Sequence, residues 1–317
     1  MLKFRLRGRL TGPAVFLAVV IAGSLLVLRS AMPRSKLIAA PPPSGGIHSS
    51  SESAPTVSDT PSAEFIAAAL RSQESAVIEV KYSKSTYGLS DEPAIHWLKT
   101  HYIRTPEVLW ATQTWMVSSR EVQETSYDFA TGENRRLTTR QDGTHVGRVE
   151  TEISDPFTNL DLLDPVRYPL YWDEAGFRPL SGWVLRGCVL PEQEDIDGFN
   201  CWRVDVAEPM RGIQRYSIWV DPNIGFCPRR VEMATGERSV PTAAKFQDYR
   251  ELAGGVWFPM KQVNEGDAGG GKRYTSILTV SEANAGKTFP KDSLLVKFPS
   301  GTELYVGRTA TTPTIVP

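Results

Sequence analysis

A period-two alternation of apolar and polar residues recurs along the chain after residue 75 and constrains the fold more than any other feature. In its first occurrence the apolar positions 76, 78, 80 and 82 alternate with Val77, Glu79 and Lys81. Alternation of this kind is typical of strands that bury one face. Further strand-like segments lie at 94–104, 107–117, 121–130, 134–140, 144–152, 183–190, 200–207, 213–220, 227–234, 244–251, 256–264, 273–281 and 294–297.

Short turn sequences separate these segments, among them Asp197-Gly198, Gly254-Gly255 and Asp-Pro-Asn-Ile-Gly at 221–225. Successive hairpins build an antiparallel sheet, and a large open sheet seldom stays flat. We therefore predict a mainly β fold: a curled antiparallel sheet, or incomplete barrel, of about 11 strands. Its apolar face needs a cover, which helices, a second sheet or a ligand can supply.

One helix is predicted before the strands. Thr60 suits the N-cap and Pro61 the first helical position, and apolar residues at 65, 66, 69 and 70 would form one helical face ending near Ser75. The stretch 155–181 is rich in Pro, Asp and aromatic residues and has little periodicity, which favours a long loop. Long loops often carry function, and this one could cover the sheet as a lid.

The N-terminus predicts export. Four basic residues between Lys3 and Arg9 precede an apolar run, Pro13–Leu28, which is the layout of a secretion signal. Extended to residues 10–28, the run approaches the roughly 20 residues that span a bilayer. Arg29 stands where cleavage favours a small residue. We therefore expect a periplasmic body anchored in the inner membrane with its N-terminus in the cytoplasm; a cleaved signal peptide is the alternative.

The composition also marks domain boundaries. Fourteen of the 24 residues at 39–62 are Pro, Ser or Gly, which is typical of a linker. We divide the chain into a signal or anchor segment (1–38), this linker (39–62), the sheet domain (63–300) and a C-terminal tail (301–317).

The charge of the body argues against nucleic acid as a partner. Residues 1–62 hold 7 of the 35 basic and 2 of the 36 acidic residues, so the remainder carries 28 basic against 34 acidic residues, a net charge of −6. Phosphate-bearing surfaces and polymers repel such a body. Contact with a membrane would have to run through apolar residues or through segment 10–28.

Known catalytic and metal-binding patterns are missing from the sequence. The histidines after the linker are His96, His101 and His145, and neither His-Glu-x-x-His nor Gly-x-Ser-x-Gly occurs. Residues 266–272 loosely match a phosphate-binding loop, but Arg273 replaces the expected Ser or Thr. We expect a non-enzymatic protein without cofactor or metal, and keep a hydrolase with a site built from distant residues as a remote alternative.

Three cysteines, Cys188, Cys201 and Cys227, suit an oxidising compartment. Cys188 and Cys201 flank a turn and fall on the same, outer side of their predicted strands, so a cross-strand disulfide between them is one expectation. Another pairing, or none, is the alternative. Cys227, followed by Pro228, reads as a small buried apolar residue.

Large aromatic residues recur along the strands and in the loop 155–181, which is the positive clue to function. Most of them suit a sheet core, but together they exceed what one helix could cover. A sheet lined in this way could hold a lipid-like ligand. The candidates for lining such a cavity are Trp97, Tyr102, Trp110, Trp115, Trp202, Tyr216, Ile218 and Trp257.

Several segments resemble the lipoprotein-carrier superfamily. The signature is Tyr-Ser-Ile-Trp-Val-Asp-Pro-Asn-Ile-Gly-Phe-Cys-Pro-Arg-Arg-Val-Glu at 216–232. The preceding strand, Asp-Gly-Phe-Asn-Cys-Trp-Arg-Val at 197–204, and the following pair, Phe-Gln-Asp-Tyr-Arg at 246–250 and Gly-Val-Trp-Phe-Pro-Met-Lys at 255–261, are similar to its neighbours. Specific matches thus cover 197–261, and the order of elements is similar over about 63–300.

This superfamily includes LolA-like carriers, LolB-like receptors and the lipid-sensing domains of RseB/MucB-type regulators. The resemblance implies an incomplete barrel wrapped over helices, with an apolar cavity for acyl chains. It leads us to expect a lipid or lipoprotein acyl chain as ligand. An envelope sensor or scaffold with a protein partner is the alternative. The matching motifs are strand and turn motifs, so they indicate fold more than activity.

Overall fold

A computed structural model describes nine stretches of the chain. These are residues 60–87, 95–116, 121–151, 164–167, 179–210, 213–234, 242–269, 272–307 and 309–317. The predicted anchor and all but the end of the linker fall outside them. So does most of the predicted loop 155–181. Within the described residues, no helix combines the length and hydropathy needed to cross a membrane.

The first half of the fold is a helix followed by six strands. Helix α1 spans Ala63–Glu74. The strands are β1 (Ile78–Tyr87), β2 (Ile95–Arg104), β3 (Val108–Trp115), β4 (Val122–Asp128), β5 (Glu133–Thr139) and β6 (His145–Glu150). Each strand pairs antiparallel with the next, as the turn sequences between them predict.

The second half is a short helix followed by seven strands. Helix α2 spans Leu180–Val184. The strands are β7 (Cys188–Ile196), β8 (Phe199–Met210), β9 (Ile213–Asp221), β10 (Cys227–Ala234), β11 (Thr242–Leu252), β12 (Val256–Gly269) and β13 (Lys272–Ala285). A 3-10 turn at Pro222–Ile224 connects β9 to β10.

The chain ends in a short helix and two strands. Helix α3 spans Lys291–Leu294, and the strands are β14 (Glu303–Val306) and β15 (Thr314–Ile315). β14 pairs in parallel with β6. Residues 301–317, which we predicted to be a tail, therefore extend the sheet.

All fifteen of these strands belong to one open, curled sheet, in the order β15-β14-β6-β5-β4-β3-β2-β1-β13-β12-β11-β10-β9-β8-β7. The two halves join where β1 pairs with β13. The mainly β prediction is confirmed, but the sheet has fifteen strands and not about 11. Thirteen of the strand-like segments in the sequence form β1–β13, and the two C-terminal strands were missed.

Apolar residues at one-turn spacing explain helix α1. Ile66, Ala67, Leu70 and Gln73 form its buried face. Ser62 caps its first turn by accepting a hydrogen bond from the Phe65 amide at 3.2 Å. The predicted helix is thus confirmed, but the cap is Ser62 and not Thr60.

Two other segments differ from their predictions. Residues 183–190 were predicted as one strand, yet Trp183 belongs to α2 and the strand starts at Cys188. Residues 294–297 were predicted as a strand, but Leu294 ends α3 and Val296 is hydrogen-bonded only to a side chain, that of Ser126. Both segments are short apolar runs, for which periodicity cannot separate a helix or coil from a strand.

Candidate functional site

One face of the sheet runs continuously through both halves. Phe246 of β11, Gln262 of β12 and Leu278 of β13 lie directly opposite one another across the strands, so their side chains share a face. We call this the inner face. It carries the two large apolar clusters of the molecule and the helices α1 and α2.

The first cluster lies in the second half and is covered by both helices. We call it the helix-covered cluster; its main members are Ile66, Leu70, Trp183, Val204, Tyr216, Ile218, Val220 and Phe246. The rings of Trp183 and Tyr216 meet edge to face at 5.5 Å. Three of the predicted cavity residues, Trp202, Tyr216 and Ile218, lie together in this cluster. Their faces are, however, already packed against α1 and α2.

The second cluster lies across β1–β3, β12 and β13. We call it the strand cluster; its members include Ile78, Val80, Tyr82, Tyr102, Leu109, Ala111, Phe258, Met260, Leu278 and Val280. The rings of Tyr82 and Tyr102 meet at 6.3 Å. Among the described residues, every member of this cluster comes from a strand or from the end of one, and none comes from a helix. Tyr102 is the candidate placed here.

Polar side chains continue the inner face beyond the strand cluster. Thr100 of β2 lies opposite Gln113 of β3, and Thr125 of β4 lies opposite Arg136 of β5. We call these four residues the inner polar patch. Thr100, Gln113 and Thr125 are buried, with exposed fractions of 3%, 0% and 2%. A buried polar group without a partner is costly, which makes this patch unusual for a sheet core.

The other candidates are dispersed. Trp110 is opposite Ile103, one position out of phase with Tyr102 and Ala111, so it lies on the outer face. There it donates a 2.7 Å hydrogen bond to Glu124 and packs beside Leu294. It therefore does not line the inner face, contrary to our assignment.

Two further candidates are Trp115 and Trp97. Trp115 is half-buried at the end of β3. The side chain of Trp97 lies outside the described residues.

Trp257, the last candidate, lines an open pocket of about 500 Å³. Its other walls are Asp197, Phe199, Ile224, Arg229, Phe246, Gln247, Asp248, Tyr249 and Lys261. It lies where β10 and β11 separate, because their register covers Arg230–Met233 and Thr242–Lys245. The Tyr249 hydroxyl bridges this gap by donating to the Pro228 carbonyl at 2.6 Å. The volume suits a small ligand.

One of the two cations that line this pocket, Arg229, is paired with a carboxylate. The Arg229 guanidinium donates two hydrogen bonds to Asp221, at 2.9 and 3.0 Å, and lies between the rings of Phe199 and Tyr249. Asp221 is fully buried and also accepts from Asn223. Burial raises the pKa of Tyr249 well above its ordinary value. These contacts stabilise the β9–β10 turn and leave the Arg229 guanidinium with little charge to offer a ligand.

A polar junction fixes α1 to the strands beside this pocket. The Gln73 side chain donates to the Gly255 carbonyl at 3.1 Å and accepts from the Trp257 amide at 2.8 Å. Glu74 accepts hydrogen bonds from the amide and hydroxyl of Ser181, both at 2.8 Å. Burial raises the pKa of Glu74, although the Ser181 bonds oppose that effect. The junction joins α1, α2 and β12.

The expected Cys188–Cys201 disulfide is absent: all three cysteines are free. The register explains this, because Cys188 lies opposite Asp205 whereas Cys201 lies opposite Glu194. Burial raises the pKa of Cys201 and of Cys227 to about 12, so both stay protonated thiols.

The two described histidine side chains, His101 and His145, have separate partners. His101 shares a 3.0 Å contact with Glu79, and His145 shares a 3.2 Å contact with Thr139 on another strand. The side chain of His96 lies outside the described residues. In the described part of the chain, no three His, Cys, Asp or Glu side chains are grouped so that they could hold a metal ion.

The sequence analysis missed the inner polar patch and the Arg229–Asp221 pair. Asp221 and Arg229 stand inside the signature at 216–232, so their separation was visible, but the β-bulge that turns Arg229 toward Asp221 was not. Gln113 and Arg136 are in predicted strands, and only the pairing register shows that they share the inner face.

Comparisons with known proteins reach this chain through structure alone. No protein-family profile matches it, and no curated protein matches its sequence. One similar structure is a DUF1329 family protein from Desulfovibrio piger, with 11% identity, a TM-score of 0.49, and coverage of 74% of this chain and 98% of that one. Another is a domain from Vibrio parahaemolyticus, proposed to be an outer membrane lipoprotein-sorting protein, with 9% identity, a TM-score of 0.47, and coverage of 73% and 95%.

The lipoprotein-sorting group to which the sequence pointed is thus represented among the similar structures. At identities near 10% and TM-scores below 0.5, the likeness concerns the course of the chain. It carries no argument about ligand, anchoring or activity.

Proposed function

We propose that this chain is an exported, membrane-anchored and non-catalytic binding protein that holds an acyl chain or a similar apolar ligand on its inner face. The observation that carries the proposal is the difference between the two inner clusters. The helix-covered cluster is packed against α1 and α2, whereas the strand cluster contains no described helix. An extended apolar chain can pack against such a cluster without displacing a described helix.

Burial of an acyl chain can supply enough free energy for binding. Burial of an acyl chain contributes about 0.8 kcal/mol per methylene, so ten methylenes contribute roughly 8 kcal/mol before the cost of association. No covalent step is needed. Release requires only that the ligand exchange one apolar surface for another, as in transfer to a membrane or a partner protein.

Lipid extraction and native mass spectrometry of the purified full chain test the binding. We expect an acyl-bearing lipid to co-purify. Ala111→Phe should reduce the bound amount, because Ala111 is buried in the strand cluster beside Tyr102. Thr112→Phe, one residue along on the outer face, is the matched control and should bind as the unaltered chain does. Failure to recover lipid from the unaltered chain, or unchanged lipid in Ala111→Phe, would contradict the proposal.

The anchoring is supported by the sequence of residues 10–28 and by the linker after it. Membrane fractionation with N-terminal sequencing tests it. We expect the intact N-terminus and retention in the membrane after a salt wash. A shortened, freely soluble chain would instead indicate a cleaved signal peptide, and a cytoplasmic chain would overturn export altogether.

A further inference from the structure

The inner polar patch holds buried groups with unused hydrogen-bonding capacity. Neither the amide oxygen nor the amide nitrogen of Gln113 has a hydrogen-bond partner in the described structure, and the Thr100 hydroxyl and the Arg136 Nε are in the same state. Native cores rarely leave such groups unsatisfied, and each instance calls for an explanation. A bound ligand that completes the hydrogen bonds is one physical explanation.

Gln113 and Arg136 are close enough to serve one ligand. Thr100 and Gln113 are direct cross-strand neighbours, and Gln113 is diagonal to Thr125, which lies opposite Arg136. Strands are about 4.8 Å apart and rise about 3.4 Å per residue, so the Cα atoms of Gln113 and Arg136 are roughly 12 Å apart. Two long side chains can reach a small polar group between them.

The local charge selects the sign of that group. The register places three charged side chains on the inner face of β4–β6: Arg136, Arg148 and Glu150. Arg148 donates to Glu150 at 3.2 Å, which leaves Arg136 as the excess cation. Burial lowers the pKa of Arg136; Glu150 raises it and Arg148 lowers it further. A desolvated cation of this kind favours an anionic partner.

The apolar surroundings select the rest of the ligand. Thr100 lies opposite Tyr82 of β1. Thr125 lies opposite Ala111 of β3, which in turn lies opposite Tyr102 of β2. The inner polar patch is therefore continuous with the strand cluster. A molecule lying along this face would present an anion to Arg136 and an alkyl chain to the strand cluster.

We propose that the inner polar patch binds the anionic head group of an amphiphile, with Arg136 as the cation and Gln113 as the hydrogen-bond partner. The head group is a carboxylate or a phosphate ester at the end of an alkyl chain. This inference rests on the proposed function, because the same molecule would occupy the strand cluster with its chain.

The test compares laurate, 1-dodecanol, dodecyl phosphate and inorganic phosphate as probes of the full chain, followed by tryptophan fluorescence. We expect laurate or dodecyl phosphate to bind at least tenfold more tightly than dodecanol. Arg136→Gln should abolish that preference and leave dodecanol binding unchanged. Arg135→Gln is the matched control, because Arg135 is on the outer face of the same strand and is paired with Glu133 at 2.6 Å. It should keep the preference.

A second variant guards against misfolding of Arg136→Gln. Gln113→Leu replaces a buried amide by an apolar group of similar size and should weaken laurate binding without weakening dodecanol binding. Arg136→Lys keeps the charge and should retain most of the preference.

Each contrary binding result contradicts a specific part of the proposal. If Arg136→Gln and Gln113→Leu bind laurate as tightly as the unaltered chain, the head-group site is wrong and the proposed function stands. If inorganic phosphate binds through Arg136 while laurate does not, the amphiphile is the wrong ligand. If no alkyl probe binds at all, the proposed function fails, and this inference fails with it.

Discussion

The apolar inner face is packed differently in the two halves of the sheet. In the second half, the inner face is closed by α1 and α2, whose Leu70 and Trp183 are fully buried against the strands. In the first half, described strand residues alone make up the apolar cluster, and beyond it the same face carries Gln113 and Arg136. Under the proposed function, this contrast is a division of labour, in which one half serves stability and the other serves the ligand.

The largest expected effect is on the helix-covered cluster. Leu70→Ala should lower the free energy of unfolding by about 3 kcal/mol, because it leaves a cavity between α1 and the strands. Leu185→Ala, at a residue with 41% exposure just after α2, is the control and should cost less than about 0.5 kcal/mol. Urea unfolding measures both. Equal losses in the two variants would mean that the helices do not close this half.

Leu278→Ala makes the same change in the strand cluster, and a ligand should separate the two sites. Its loss should again be about 3 kcal/mol in the absence of ligand. Added 1-dodecanol should stabilise Leu70→Ala as much as it stabilises the unaltered chain, because the strand cluster of that variant is intact. It should stabilise Leu278→Ala by a larger amount, because the ligand can also fill the cavity left in the cluster that binds it. Thermal unfolding with and without dodecanol measures this. Equal stabilisation of the two variants by dodecanol would mean that the ligand does not bind preferentially at the strand cluster.

The next largest loss of stability is expected at the polar junction formed by Gln73. Gln73→Leu keeps the volume but leaves the Gly255 carbonyl and the Trp257 amide without their side-chain partner, which we expect to cost about 2 kcal/mol. Ser72→Ala, an exposed position on α1, is the neighbouring control. Equilibrium unfolding of both variants provides the test. A loss no larger than that of the control would mean that apolar packing alone holds α1 in place.

The sequence predicted the strands well because their alternation is a local property. It missed β14 because Glu303–Val306 is short and lacks a buried face, so its pairing with β6 and β15 makes it a strand and its sequence pattern does not. The candidate site was harder to predict. Tyr102 and Trp110 are both aromatic and one hairpin apart, yet the register assigns them to opposite faces. Arg136 has the sequence context of an ordinary surface residue, and its burial depends on tertiary structure.

Substitution of Arg136 should stabilise the chain, in contrast to the substitutions above. Arg136→Met removes a desolvated cation that has no ion-pair partner among the described residues, so it should raise the free energy of unfolding by about 1 kcal/mol. Arg135→Met breaks an outer-face pair and should change stability by less than about 1 kcal/mol, in the destabilising direction. A clear loss of stability in Arg136→Met would show that this residue stabilises the fold, and it would contradict its role in binding a ligand.

The smallest perturbation uses the native thiols as probes of the second half. Cys188 is exposed, whereas Cys201 and Cys227 are buried and have pKa values raised to about 12. Because the folded-state pKa lies above the ordinary value, both buried thiols stay protonated as the pH rises into the mildly alkaline range. A thiol reagent should therefore modify one cysteine quickly in the native chain and all three only in denaturant.

The rate at which Cys227 becomes labelled measures opening of the helix-covered cluster, to which it belongs. Cys188→Ser should remove the fast phase and confirm its assignment. If the halves open separately, dodecanol bound on the strand cluster leaves the slow rate unchanged. Slower labelling with dodecanol would show that the β1–β13 pairing couples the halves into one cooperative unit, and the division of labour would then hold for packing but not for stability.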